Sequence, residues 1–172
     1  MQIIKRIQKM QAIVRDLKVR GKTIGFVPTM GALHEGHLSL IRQARKDNGI
    51  TVVSIFVNPL QFGPNEDLKC YPRPIKKDIL FCKKEKVDFI FYPQTRKMYP
   101  EGFKTTVEVG ELGNVLCGVS RPGHFPGVTT VVSKLFNIVQ PDIAYFGQKD
   151  AQQAVIIQRM AVYLNQALRI KV

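Results

Sequence analysis

Two hydrophobic periods take turns along this chain, and each change of period marks an element. Ile3, Ile4, Ile7, Met10, Val14 and Leu17 recur at three and four, as in an amphipathic helix ending near Gly21. An apolar run over residues 23–28 reads as a buried strand. Leu38, Leu40, Ile41 and Ala44 return to helical spacing, and Asn48-Gly49 closes that helix. Residues 50–57 are almost all apolar or β-branched, as in a strand covered on both faces. A helix over 75–86 and a strand over 87–91 follow, and 105–109 reads as a short edge strand. Val128, Val131, Val132, Leu135, Phe136 and Val139 mark a helix, because their period outweighs their β-branching. A strand over 142–146, a helix over 151–164 and the start of a last strand over 168–172 complete the order.

Strands alternating with helices predict an α/β fold, a doubly wound parallel sheet with right-handed crossovers. No repeat, low-complexity tract or linker interrupts it, so residues 1–172 read as a single Rossmann-like domain. Such sheets bind ligands at the carboxyl ends of their strands, and this chain has four candidate loops containing Gly or Pro.

The first runs from Pro28 to His37 and joins a strand to a helix. A helix start leaves N–H groups unpaired and carries partial positive charge, which suits phosphate. Gly31 and Gly36 allow a ligand close to the backbone. His34 and His37, three apart, fall on one side of a helical turn and could donate to a phosphate as its charge grows. The second loop, 58–67, offers Asn58 and Gln61, neutral groups that both donate and accept and that suit hydroxyls and a carboxylate. The third, 121–127, contains His124, either a further site residue or a loop histidine bonded to backbone. In the fourth, Gly147 to Asp150 repeats the strand–Gly–helix arrangement. Lys149 supplies a mobile charge, Asp150 can cap the helix, and one of Gln152 and Gln153 should face the cleft.

Composition narrows the classes. The net charge is +13, yet Lys and Arg are scattered over helix surfaces without interleaved aromatics. This argues for attraction of small anions over nucleic acid. Cys70, Cys82 and Cys117 are widely spaced and form no Cys-x-x-Cys pair, the pattern of free thiols in a reducing cytoplasm. No apolar run approaches a membrane span, and no signal peptide is evident.

The His-x-Gly-His at 34–37 resembles the signature of the nucleotidylyl-transferase superfamily. Together with the stretches 26–37, 54–67, 120–137 and 144–153, it makes nearly the whole chain similar to the pantothenate synthetase (pantoate–β-alanine ligase) family. The resemblance implies that pantoate reacts with Mg2+-bound ATP to give a pantoyl adenylate, which β-alanine converts to pantothenate. It implies ATP binding by Met30, Gly31, Ala32, Leu33, His34, Glu35, Gly36 and His37, and by Gly147, Gln148, Lys149 and Asp150. His37, His34 and Lys149 take the catalytic positions; Gln61 and Gln153 bind pantoate, and Gln61 also lies against β-alanine. A cytoplasmic homodimer, with neither nucleic acid nor membrane as partner, completes the expectation. Relatives continue past the point matching Val172 with a Ser-Ser-Arg stretch and a C-terminal lid domain. Without these, the chain is expected to fold but to adenylate slowly. A different nucleotidylyl transferase and a non-catalytic binding or oligomerisation module stand as alternatives.

Overall fold

The strand at Ile24–Thr29 carries a neighbour on each side, along its whole length on one and at Gly25 and Phe26 on the other, and the rest of the sheet grows outward from it. In the computed structural model, which describes residues 1–63, 66 and 68–172, the strands are β1 (Gln2–Ile4), β2 (Ile24–Thr29), β3 (Ile50–Ile55), β4 (Phe89–Phe91), β5 (Ile143–Tyr145) and β6 (Arg169–Lys171). The helices are α1 (Ile7–Val19), α2 (Glu35–Asp47), α3 (Ile75–Lys84), α4 (Thr95–Met98), α5 (Cys117–Ser120), α6 (His124–Val139) and α7 (Ala151–Tyr163). Pro64, Asn65 and Asp67, part of the loop expected over 58–67, lie outside the described residues.

All pairings are parallel, in the order β1-β4-β3-β2-β5-β6. From β2 the chain winds through β3 to β4 on one side, then returns to lay β5 and β6 on the other. The order therefore reverses between β2 and β5, and that is where a crevice opens beyond the strand ends. The expected doubly wound parallel α/β sheet is the observed one.

Alternation along the strands divides the core. Ile24 and Phe26 of β2 and Val52 of β3 face a layer built from α1, α6 and α7, with Met10, Val14, Phe136 and Ile157. Val27, Val53 and Ile55 face α2 and α3, with Leu38, Ile41 and Cys82. Each fully buried side chain of this size contributes about 1.5–3 kcal/mol, so the two layers supply ample burial to fix the strand ends. Among the described residues, no helix is long and apolar enough to cross a membrane.

Three expectations need correction. Residues 2–4 form a strand, although Ile3 and Ile4 fit the helical period. Gln2 N–H donates to Asp88 O (2.8 Å) and Ile4 O accepts from Tyr92 N–H (2.8 Å), so the free edge of β4 captures them. Arg6 is extended at φ −101°, and the helix begins only at Ile7. Residues 105–109 form no strand. Val107 N–H donates to Thr130 Oγ1 (3.0 Å) and its carbonyl accepts from Thr129 Oγ1, so side chains of α6 take the place of a strand neighbour. Helix α6 starts at His124, four residues before the apolar period begins. Pro126 lies in its first turn, where a missing N–H costs nothing.

Candidate active site

The turn after β2 is built on two left-handed residues. Thr29 Oγ1 donates to Ser54 O (2.8 Å) and accepts from Gly31 N–H (3.1 Å), ending the strand. Gly31 (φ 85°) and Ala32 (φ 50°) then reverse the chain. A Cβ on Gly31 would lie 3.0 Å from Asp78 Oδ2 and 3.1 Å from Ile55 Cγ2, so space as well as φ favours glycine here. Asp78, only 1% exposed, takes Ala32 N–H on Oδ2 (3.0 Å) and Leu33 N–H on Oδ1 (2.8 Å). This buried carboxylate from α3 clamps the turn, and inspection of the loop alone does not reveal it.

His34 is the N-cap of α2, and its Nδ1 accepts from Gly36 N–H (3.2 Å). A nitrogen that accepts there carries no proton, so the ring N–H is on Nε2. The His34 and His37 rings lie tilted against each other, with centroids 4.2 Å apart. Burial, reinforced by His34, holds the His37 pKa below the ordinary value, while Asp78 and Asp150 pull weakly the other way. His37 is therefore a neutral imidazole at pH 7. Its buried Nδ1 has no hydrogen-bond partner.

Met30, His34, Gly36 and His37 line one cleft of about 570 Å³. Leu33 points into the core, and Glu35 faces outward to Arg42 (2.5 Å). Gly147, Gln148, Lys149 and Asp150 line the same cleft from the turn after β5. Asp150 makes no side-chain capping bond, contrary to expectation; its φ of −100° and ψ of 53° fall outside the extended geometry usual for a cap. Gln153 faces the cleft. Gln152 turns away, accepting from Cys117 N–H (3.0 Å) and donating to Val115 O (2.7 Å).

Gln61 enters from the 3-10 turn Pro59–Gln61 after β3. Asn58, fully buried, decides how that amide is turned. Its Oδ1 accepts from Leu60 N–H (3.3 Å) and the Tyr99 hydroxyl (2.7 Å), which leaves its Nδ2 to donate to Gly127 O (3.0 Å) and Gln61 Oε1 (3.1 Å). With its oxygen engaged, Gln61 offers Nε2–H donors to the cleft. Asn58, which also lines the cleft, thus orients Gln61. His124 does not line the cleft; its Nδ1 faces Gln61 O (2.9 Å), the backbone-bonded alternative. Val128, Val131, Val132 and Leu135 of α6 form an apolar wall opposite these polar groups. Among the described residues, no group of three His, Cys, Asp or Glu side chains could hold a metal ion.

A sequence model of a family described as Pantoate-beta-alanine ligase matches residues 2–172. The pantothenate synthetase of Sulfurihydrogenibium sp. is 62% identical over 165 residues, covering 96% of this chain and 59% of that protein. That of Caldicellulosiruptor bescii is 59% identical over 165 residues, covering 96% and 58%. Crystalline pantothenate synthetase from Thermus thermophilus superposes with a TM-score of 0.94 at 45% identity, over 99% of this chain and 60% of that one. The pantoate–β-alanine ligase of Francisella tularensis, crystallised with β,γ-ATP and β-alanine, gives 0.95 at 42% identity, over 100% and 66%. The chain thus spans about three-fifths of the length of most of these relatives.

Proposed function

We propose, from the premise that this chain belongs to the pantoate–β-alanine ligase family, that its cleft binds ATP and pantoate and forms pantoyl adenylate on the way to pantothenate. One observation supports this above the rest. Two strand–turn–helix starts, after β2 and β5, open onto one cleft where the strand order reverses, and Gln61 and Gln153 face the same space.

ATP spans the two turns, with Met30, His34, Gly36 and His37 on one side and Gly147 to Asp150 on the other. Pantoate lies against Gln61 and Gln153. One of its carboxylate oxygens attacks the α-phosphorus as the bond to the bridging oxygen breaks, and pyrophosphate leaves with that electron pair. The β-alanine amine, beside Gln61, then attacks the acyl carbon. The acyl–oxygen bond breaks, AMP leaves, and the nitrogen loses a proton to give the amide.

The protein's part is positioning and charge stabilisation. His37 and His34 donate N–H bonds to phosphate oxygens, bonds that strengthen as charge develops. Lys149 adds a full positive charge on a flexible stem. Gln61 and Gln153 hold the pantoate carboxylate without a tight ion pair, leaving its attacking lone pair available. Mg2+ arrives with the triphosphate. The chain works as one ATP- and pantoate-binding unit in a cytoplasmic homodimer, without nucleic acid or membrane.

Calorimetric titration with Mg-ATP and pantoate, then AMP release on adding β-alanine, tests the proposal. Saturable binding of both ligands and β-alanine-dependent AMP release are expected. Binding of ATP with no effect of pantoate would place the acceptor in another chemical class. Sedimentation analysis should give twice the monomer mass.

A further inference from the structure

His124 is buried, at 8% exposure, just outside the cleft wall. Its two ring nitrogens meet groups whose roles are fixed. Gln61 O, 2.9 Å from Nδ1, can only accept, so Nδ1 carries the proton. The Arg121 guanidinium, with Nη1 3.2 Å from Nε2, can only donate, so Nε2 carries the lone pair. The partners therefore specify one neutral tautomer, and an imidazolium would set Nε2–H against a cation. Burial, aided by the Arg121 charge, lowers the His124 pKa against the opposing pull of the Gln61 carbonyl, which agrees with the neutral form.

The chain of contacts continues. Arg121 grips Glu66 at two points, Nε to Oε1 (2.5 Å) and Nη2 to Oε2 (3.1 Å). Glu66 Oε2 also accepts from Gly63 N–H (2.9 Å). One line of bonds thus joins the start of α6 to the main chain at Gln61 and again at Gly63. The approach is as close as backbone allows: a Cβ on Gly127 would lie 2.2 Å from Leu60 O and 2.6 Å from Gln61 N. The Gln61 amide is oriented by Asn58, but Asn58 does not hold the Gln61 main chain.

We propose that His124 is a positioning residue for substrate binding: it latches the Gln61 carbonyl to α6 and, through Arg121 and Glu66, secures the Gly63 side of the same loop, so that the Gln61 Nε2–H group stays aimed into the cleft. This rests on the reading of the cleft as a pantoate site. His124 touches no ligand itself. Its effect falls on pantoate and spares ATP, whose turns are held by Asp78 and by the Asp150 N–H to Gly147 O bond (3.2 Å).

Two variants separate the hydrogen bond from mere filling of space. His124→Phe keeps a ring but loses the donor, leaving a buried carbonyl unpaired. His124→Asn keeps an N–H near the position of Nδ1. Loss of one buried pairing corresponds to about a tenfold change in affinity. Calorimetry should show pantoate weakened about tenfold by His124→Phe and restored to within about threefold by His124→Asn, with ATP affinity unchanged in both. Unchanged pantoate affinity in His124→Phe overturns the proposal, as does equal loss of pantoate and ATP in both variants. Should His124→Phe fail to fold, Arg121→Lys loses the two-point grip on Glu66 without touching the core. It should weaken pantoate and spare ATP, and no change there overturns the latch. If the wild-type chain binds no pantoate, the functional reading falls by itself. The latch is then decided without ligand by ¹⁵N NMR of the Gln61 side-chain amide. A shift in His124→Phe that His124→Asn reverses sustains it; unchanged signals in both variants overturn it.

Discussion

Replacing Asp78 by Asn tests the proposed nucleotide half of the site from behind. The substitution preserves shape and volume but removes one of two acceptors. Leu33 N–H can keep a carbonyl oxygen, while the new NH2 group confronts Ala32 N–H, donor against donor. An unpaired buried donor costs about 1–3 kcal/mol, and hydrogen bonds to charged groups stand at the upper end of the range. Ala32 also sits at φ 50°, a left-handed geometry that costs an L-residue about 1–2 kcal/mol and that the Asp78 bond now offsets. Relief from burying a charge works the other way. A net loss of about 2 kcal/mol follows, equivalent to a drop of about 4–8 °C in melting temperature for a domain of this size.

The same change lets the turn sample open conformations. If the open forms absorb about 1.4 kcal/mol, the apparent ATP affinity falls about tenfold. Circular-dichroism melting and calorimetric ATP titration of Asp78→Asn measure the two effects side by side. A lower melting temperature with ATP affinity within twofold of wild type would refute the reasoning: the clamp would then stabilise the fold without shaping the nucleotide wall.

Gln61→Ala and Gln153→Ala should each weaken pantoate by about tenfold to a hundredfold, the equivalent of about 1–3 kcal/mol for a lost buried amide contact; calorimetry in which either change leaves pantoate untouched would misplace the pocket. His37→Ala should slow single-turnover AMP release more than it weakens ATP binding, because the help of its N–H grows with transition-state charge; equal losses would make it an ordinary binding group. Stability should fall on acidification through His37 and His124. Both have folded pKa values lowered from 6.5, so their contribution is complete above that value and is lost as pH falls through the folded pKa. Melting temperatures that stay flat from about pH 7.5 to 5.5 would contradict this.

The elements legible in the sequence are those whose pattern is local. Residues 23–28 and 50–57 are largely apolar or β-branched runs and form the centre of the sheet as β2 and β3. Residues 2–4 are too few to show a strand period, and only the distant edge of β4 makes them a strand. Pro126 hides the start of α6 from any rule that treats proline as a helix breaker. Asp78 did leave a signal. Ile75, Ile79 and Cys82 set the inward stripe of α3, and Asp78 falls on that stripe, three residues after Ile75 and four before Cys82. A carboxylate on an apolar stripe must find buried donors, so the residue could have been singled out, though its partners could not.

The same division runs through the site. The two turns proposed to hold the nucleotide are local: a strand ends, glycine turns the chain, a helix begins, and the sheet topology brings the two together. The Gln61 side depends on contacts far apart in sequence. Asn58 reaches Gly127 across 69 positions and His124 reaches Gln61 across 63. These contacts orient the Gln61 amide at the cleft. An amide in a loop could present either an acceptor or a donor. With Gln61 Oε1 held by Asn58, and Asn58 itself fixed by Leu60, Tyr99 and Gly127, the Nε2 donors are the end of the amide left without a protein partner. A donor matches a carboxylate or hydroxyl oxygen and rejects a second donor, so selection at this position comes from the neighbours of Gln61 as much as from Gln61 itself.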